Sequence, residues 1–156
     1  MRYSTSALFA MLALTGCYSA YVAPTTAESS AELHLNGANQ ASLVFRIWDN
    51  PQCKESPGFG NITGFIRGIT NTEVHRIPAG KPVYLEVAVS DLSYTSTETP
   101  KRCVSLQTFI PEPGGRYKAS LGLTEQNCSA TIAPAEGANT SFPQGYRVIA
   151  RNKACM

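Results

Sequence analysis

Charge is scarce in this chain of 156 residues, where only 15% are Asp, Glu, Lys or Arg against the ~25% of ordinary soluble domains. Thirteen basic and eleven acidic residues leave a net charge of +2, which excludes an electrostatic grip on DNA or RNA. Histidine occurs twice and tryptophan once. No Cys-x-x-Cys pair is present, so the usual ligand spacing of a structural zinc site is missing. Neither a Gly-rich phosphate loop ending in Lys-Ser/Thr nor a Gly-x-Ser-x-Gly elbow occurs. No segment holds a 3.6-residue apolar period long enough for a helix, and no apolar run reaches the ~18 residues of a spanning helix. A repeat of fixed period is also absent, which argues against a solenoid or propeller.

What is present begins with an address. Residues 1–17 read MRYSTSALFAMLALTGC, with Arg2 ahead of an apolar run over residues 7–14. That run is too short to span a bilayer but suits the core of a signal peptide. It ends Leu14-Thr15-Gly16-Cys17, which resembles the lipobox of bacterial lipoproteins. The resemblance implies cleavage before Cys17, a diacylglycerol thioether on its sulfur, and acylation of the new amine. Two or three acyl chains anchor stably, where one binds only marginally. Tyr18 follows where Asp would favour retention in the inner membrane, so outer-membrane sorting is expected, with the domain facing the periplasm. Residues 1–16 are therefore expected to be removed. Residues 17–31 are read as the lipidated Cys and a flexible tether, and residues 32–156 as one domain.

That domain reads as strands. Residues 43–48 (LVFRIW) alternate, with Leu43, Phe45 and Ile47 on one face. Residues 83–89 place Val83, Leu85, Val87 and Val89 on one face and Tyr84 and Glu86 on the other. Residues 117–123 place Tyr117, Ala119, Leu121 and Leu123 together. Shorter runs lie at 62–69, 104–110, 128–132 and 146–150, separated by Pro, Gly and Asn. Seven or eight short strands at this spacing predict an all-β fold, an antiparallel sandwich of immunoglobulin or transthyretin type.

Four cysteines remain beside Cys17. In an oxidising compartment Cys53, Cys103, Cys128 and Cys155 are expected to form two disulfides. If the strands near Cys128 and Cys155 pair as a hairpin, those two bridge and leave Cys53 with Cys103. The competing arrangement joins Cys103 to Cys128 around a hairpin. The stretch from Cys103 through Phe109, Pro111, Pro113-Gly114 and Tyr117 to Cys128 resembles a loose group of proteobacterial lipoproteins. Its motifs are structural and imply fold and location without an active site.

Candidate chemistry is thin. His34 and His75 have no evident partner, and any paired acids would have to come from Asp49, Glu86, Asp91 or Glu112. No catalytic residue, metal or cofactor is expected. The Asn-x-Ser/Thr matches at Asn61, Asn127 and Asn139 are read as chance in a bacterial lipoprotein. Trp48, Tyr84 and Tyr94 are the candidate binding aromatics. Lys101, Arg102, Arg147, Arg151 and Lys153 are weaker candidates for an anionic partner. The expectation is a non-enzymatic, outer-membrane-anchored binding or scaffolding module. Its partners are the membrane, through Cys17, and an envelope protein or cell-wall polymer. The alternatives are an accessory lipoprotein of a secretion machine, similar to that of the type VI system, and an inhibitor of an envelope hydrolase.

Overall fold

A computed structural model describes residues 19–25, 29–36, 42–62, 66–67, 73–90, 102–123 and 128–149. Among them every regular element is a strand: β1 (Ser30–Asn36), β2 (Ser42–Trp48), β3 (Gly60–Asn61), β4 (Ile66–Arg67), β5 (Glu73–Pro78), β6 (Val83–Ser90), β7 (Arg102–Ile110), β8 (Arg116–Leu123), β9 (Cys128–Pro134) and β10 (Gln144–Ile149). They form a four-stranded sheet in the order β5-β1-β8-β9 and a six-stranded sheet in the order β10-β7-β6-β2-β3, with β4 also paired to β2. The all-β sandwich expected from the alternations is the fold.

One pairing departs from the antiparallel expectation, because β1 and β8 run parallel. Strands so far apart in sequence need no hairpin between them, and a parallel pair requires only a long crossover. One strand, β1, lies where none is expected, and β5 is longer than the short strand-like run at His75-Arg76. In β1 the alternation Ala31, Leu33, Leu35 is buried, and its start at Ser30 moves the domain boundary ahead of residue 32. In β5 only Ile77 and the adjoining Ala79 are buried, as suits an edge strand with little apolar signal.

The core lies between the sheets. Leu33, Leu35, Ile77, Tyr117, Ala119, Leu121 and Ile132 from one sheet meet Phe45, Ile47, Val83, Leu85, Val87 and Phe109 from the other. Fully burying each large side chain contributes roughly 1.5–3 kcal/mol. The Phe109 and Tyr117 rings meet edge-on at 5.6 Å. Beside them, the Gln107 amide donates to the Ala130 carbonyl across the sandwich.

The Phe-x-Pro…Pro-Gly…Tyr motif now has a physical reading. Gly114 takes φ +71, and its N–H donates to the Ser30 carbonyl at 2.8 Å, while the Glu32 N–H donates to Gly115. The buried Tyr117 hydroxyl accepts from the Glu112 N–H at 2.9 Å. The motif thus fixes the β7–β8 turn and seats the start of β1 against it.

Candidate binding groove

The tether expectation fails for the residues described. Residues 19–22 are hydrogen-bonded along the 58–61 segment: Asn61 N–H donates to Ser19 O (3.0 Å), Tyr21 N–H to Asn61 O (2.9 Å) and Val22 N–H to Gly58 O (3.1 Å). The Tyr21 hydroxyl donates to the Arg76 carbonyl at 2.7 Å, and Tyr21 packs against the core. This segment therefore joins the β3 edge of one sheet to the β5 edge of the other. Such docking needs a backbone without a side chain at position 60, where a Cβ would fall 1.9 Å from the Ser19 carbonyl oxygen. A composition rich in Ala, Thr and Ser reads as a tether because this partner lies forty residues away.

Between the docked segment and the turns at 57–59 and 78–81 runs a groove of about 560 Å³. Its walls are mostly apolar, with Tyr21, Val22, Pro24, Pro57 and Phe59 among them and Lys81 as the one charged side chain among the described residues. The Lys81 ammonium sits 5.8 Å from the centre of the Phe59 ring, within the range of a cation–π contact. Val22 is 67% exposed. Aromatic, proline and aliphatic walls with a cation beside them suit an apolar or extended ligand that carries negative charge. Sequence reasoning passed over these residues because they come from three separated segments. The Pro57-Gly58-Phe59-Gly60 run, an aromatic set among turn residues, was the available signal.

The expected site residues do not gather here. Trp48 points away from the inter-sheet core yet is only 2% exposed. Its indole N–H donates to Glu86 Oε2 at 2.9 Å, and Arg46 meets Glu86 Oε1 at 2.7 Å. Arg46 Nε also donates to Asn61 Oδ1 at 2.9 Å. Trp48 is thereby a buried structural residue and not an exposed anchor. Tyr84 is half-buried across from it, and Tyr94 lies outside the described residues. Asp49 accepts from Asn50 and Ser56 in the following turn, while Asp91 lies outside the described residues. Glu112 is on the β7–β8 turn. The acids are thus spread over a sheet face and two turns.

His34 lies on the outward face of β1, with Nε2 3.5 Å from Glu32 and no hydrogen bond to that nitrogen. His75, on β5, contacts Glu73 at 3.2 Å. Among the described residues no three His, Cys, Asp or Glu side chains group as metal ligands. No helix there is long and apolar enough to cross a membrane. Arg147 is exposed on β10; Lys101, Arg151 and Lys153 lie outside the described residues, as does the Arg102 side chain.

The cysteines do not fit the first pairing. Cys103 pairs with Val89, which pairs with Leu43 at the start of β2. Cys53 follows the other end of β2, its N–H donating to Asn50 O at 3.3 Å. Five residues of strand separate these ends, about 17 Å at ~3.4 Å per residue, and a disulfide tolerates at most ~7 Å between Cα atoms. Cys53 is nevertheless disulfide-bonded. Cys17 also lies outside them.

The molecule so defined is a two-sheet β protein with an apolar groove built partly by its N-terminal segment. No family model, curated protein or solved structure matches the chain.

Proposed function

We propose that this chain is an outer-membrane lipoprotein, held by acyl chains on Cys17 with its domain facing the periplasm. It serves there as a non-enzymatic binding or scaffolding module of the cell envelope. The groove carries this reading: among the described residues its surface is mostly apolar and aromatic-walled, with Lys81 as the one cation. It is built by the segment that begins two residues after Cys17, so anchor and binding surface are adjacent. Two disulfides among the remaining cysteines, expected in an oxidising periplasm, complete the picture.

The anchor is tested by replacing Cys17 with Ser, which should release the domain from membranes or stall its processing. Normal cleavage followed by continued fractionation with outer membrane would overturn the lipoprotein reading. The groove is tested by placing a photocrosslinking residue at Val22 and, separately, at Phe142. Phe142 is also well exposed (59%) and lies just before β10, the edge farthest from β3. A specific envelope adduct from Val22 and none from Phe142 is expected. Adducts of equal yield from both positions, or none from Val22, would reject the groove as the binding surface.

A further inference from the structure

Few groups on the groove walls are free to hold a peptide. A strand added along a wall draws its affinity from main-chain hydrogen bonds. Pro24, Pro57 and Pro78 line the groove and have no N–H to give. The N–H groups of Tyr21, Val22, Phe59 and Ala79 are already donated, to the carbonyls of Asn61, Gly58, Ser56 and Ser29. The Arg76 carbonyl, at the neighbouring edge of β5, is taken by the Tyr21 hydroxyl at 2.7 Å. A polyproline peptide fares no better. Its carbonyls are solvated in water and need donors once buried, and the hydroxyl of Tyr21 is spent on Arg76.

What the walls offer instead is apolar surface and an ammonium. Val22 is 67% exposed, and the Phe59 ring and the prolines continue its surface. The turn that carries Lys81 is fixed from outside the groove, with Ala79 N–H bonded to Ser29 and Gly80 N–H to Pro111. Lys81 stands beside the Phe59 ring and has no ion pair among the described residues. The described residues of the walls include no carboxylate to compete for it.

Resting on the groove reading above, we propose that the ligand is a single-chain amphiphile with an anionic head, a carboxylate or a phosphate. Its alkyl chain lies along Val22 and Phe59, and its head meets the Lys81 ammonium. An alkyl chain asks for none of the hydrogen bonds these walls lack, and its burial is driven by apolar area alone. The volume of about 560 Å³ falls within the ~300–1,000 Å³ of small-molecule sites. A fatty acid and a phosphate-headed lipid share this chemistry, and the two heads are told apart below.

The probe is dansylaminoundecanoate, whose fluorescence rises in apolar surroundings. It is titrated into the chain from residue 17 onward, produced without acylation so that no detergent is present. Saturable one-to-one binding is expected, displaced by dodecanoate and dodecyl phosphate and not by dodecyltrimethylammonium at equal concentration. The better competitor of the two anions identifies the head. Lys81→Ala should weaken the anions about fivefold, the upper range for an exposed ion pair. Lys81→Glu should reverse the order, so that dodecyltrimethylammonium competes best. Val22→Asp, at an exposed position, should weaken the anions roughly tenfold. The folded state of all three variants is checked by far-UV circular dichroism. Equal displacement by anion and cation, or an anion preference that survives Lys81→Glu, overturns the inference. A polypeptide photoadduct at Val22 in a chain that binds no probe also overturns it, and leaves the groove as the binding surface. Absence of both adduct and probe binding removes the groove reading as well.

Discussion

Replacing Gly60 with Ala tests the docking of the N-terminal segment. The new Cβ would sit 1.9 Å from the Ser19 carbonyl oxygen, and the site holds φ at +152, so the segment must leave. Four hydrogen bonds go with it: three between residues 19–22 and 58–61, and one from the Tyr21 hydroxyl to Arg76. At ~1 kcal/mol each they contribute about 4 kcal/mol. The partial burial of Tyr21 adds roughly 2 kcal/mol. Four released residues recover ~1 kcal/mol each of backbone freedom, which leaves about 2 kcal/mol net, and ~1 kcal/mol of backbone strain at this φ brings the loss to about 3 kcal/mol. In a domain that starts at residue 25 the same substitution meets no carbonyl and should cost only ~1 kcal/mol of backbone strain. Urea unfolding followed through Trp48 should therefore show a coupling near 2 kcal/mol between the two changes. With a urea slope of ~1–3 kcal/mol/M the larger midpoint shift is on the order of 1–3 M. Equal losses in both backgrounds would refute the docking.

The remaining expectations rest on single sites. Glu86→Ala leaves Arg46, whose side chain is 17% exposed, and the Trp48 N–H without their carboxylate, and should cost ~3–5 kcal/mol; a loss under ~0.5 kcal/mol in urea unfolding would mean the trio is idle. Gly114→Ala meets nothing within 4 Å but must hold φ +71, so a loss of ~1 kcal/mol is expected, and a loss as large as that of Gly60→Ala would contradict the turn geometry. His34→Ala and His75→Ala should each change stability by less than ~1 kcal/mol and leave the cellular role intact. The purified domain should not turn over peptide, ester, phosphoester or cell-wall glycan substrates; hydrolysis abolished by changing Asp49, Glu86 or Glu112 would refute the non-enzyme reading.

The most legible strands were those carrying their own alternation. Val83, Leu85 and Val87 face the core while Tyr84 and Glu86 face outward, as the period of two requires. The Pro-Gly breaks fell at turns for the same local reason. Edge strand β5 showed only as a short strand-like run at His75-Arg76, because its alternate positions are half-exposed and polar. The parallel β1–β8 pair was hidden because no local pattern encodes which distant strand is a neighbour. Trp48 shows the limit most sharply: its outward parity was readable, but not that its indole N–H would meet the carboxylate at position 86. Cysteine pairing failed similarly, since strand ends are visible in sequence whereas register is not. The groove was invisible because Tyr21, Phe59 and Lys81 converge only after both sheets form.

Docking at Ser19 also sets how far the molecule can reach. Fourteen free residues after Cys17 would act as a leash with a mean span of roughly 20 Å, at ~5–6 Å times the square root of residue number. Two residues before the first docked carbonyl allow only about 7 Å. If Cys17 carries the proposed acyl chains, the volume swept by the groove shrinks by roughly the cube of that ratio, about twentyfold, and its effective concentration toward a partner in the same membrane rises by the same factor. A groove of modest intrinsic affinity would then suffice for neighbours in that membrane.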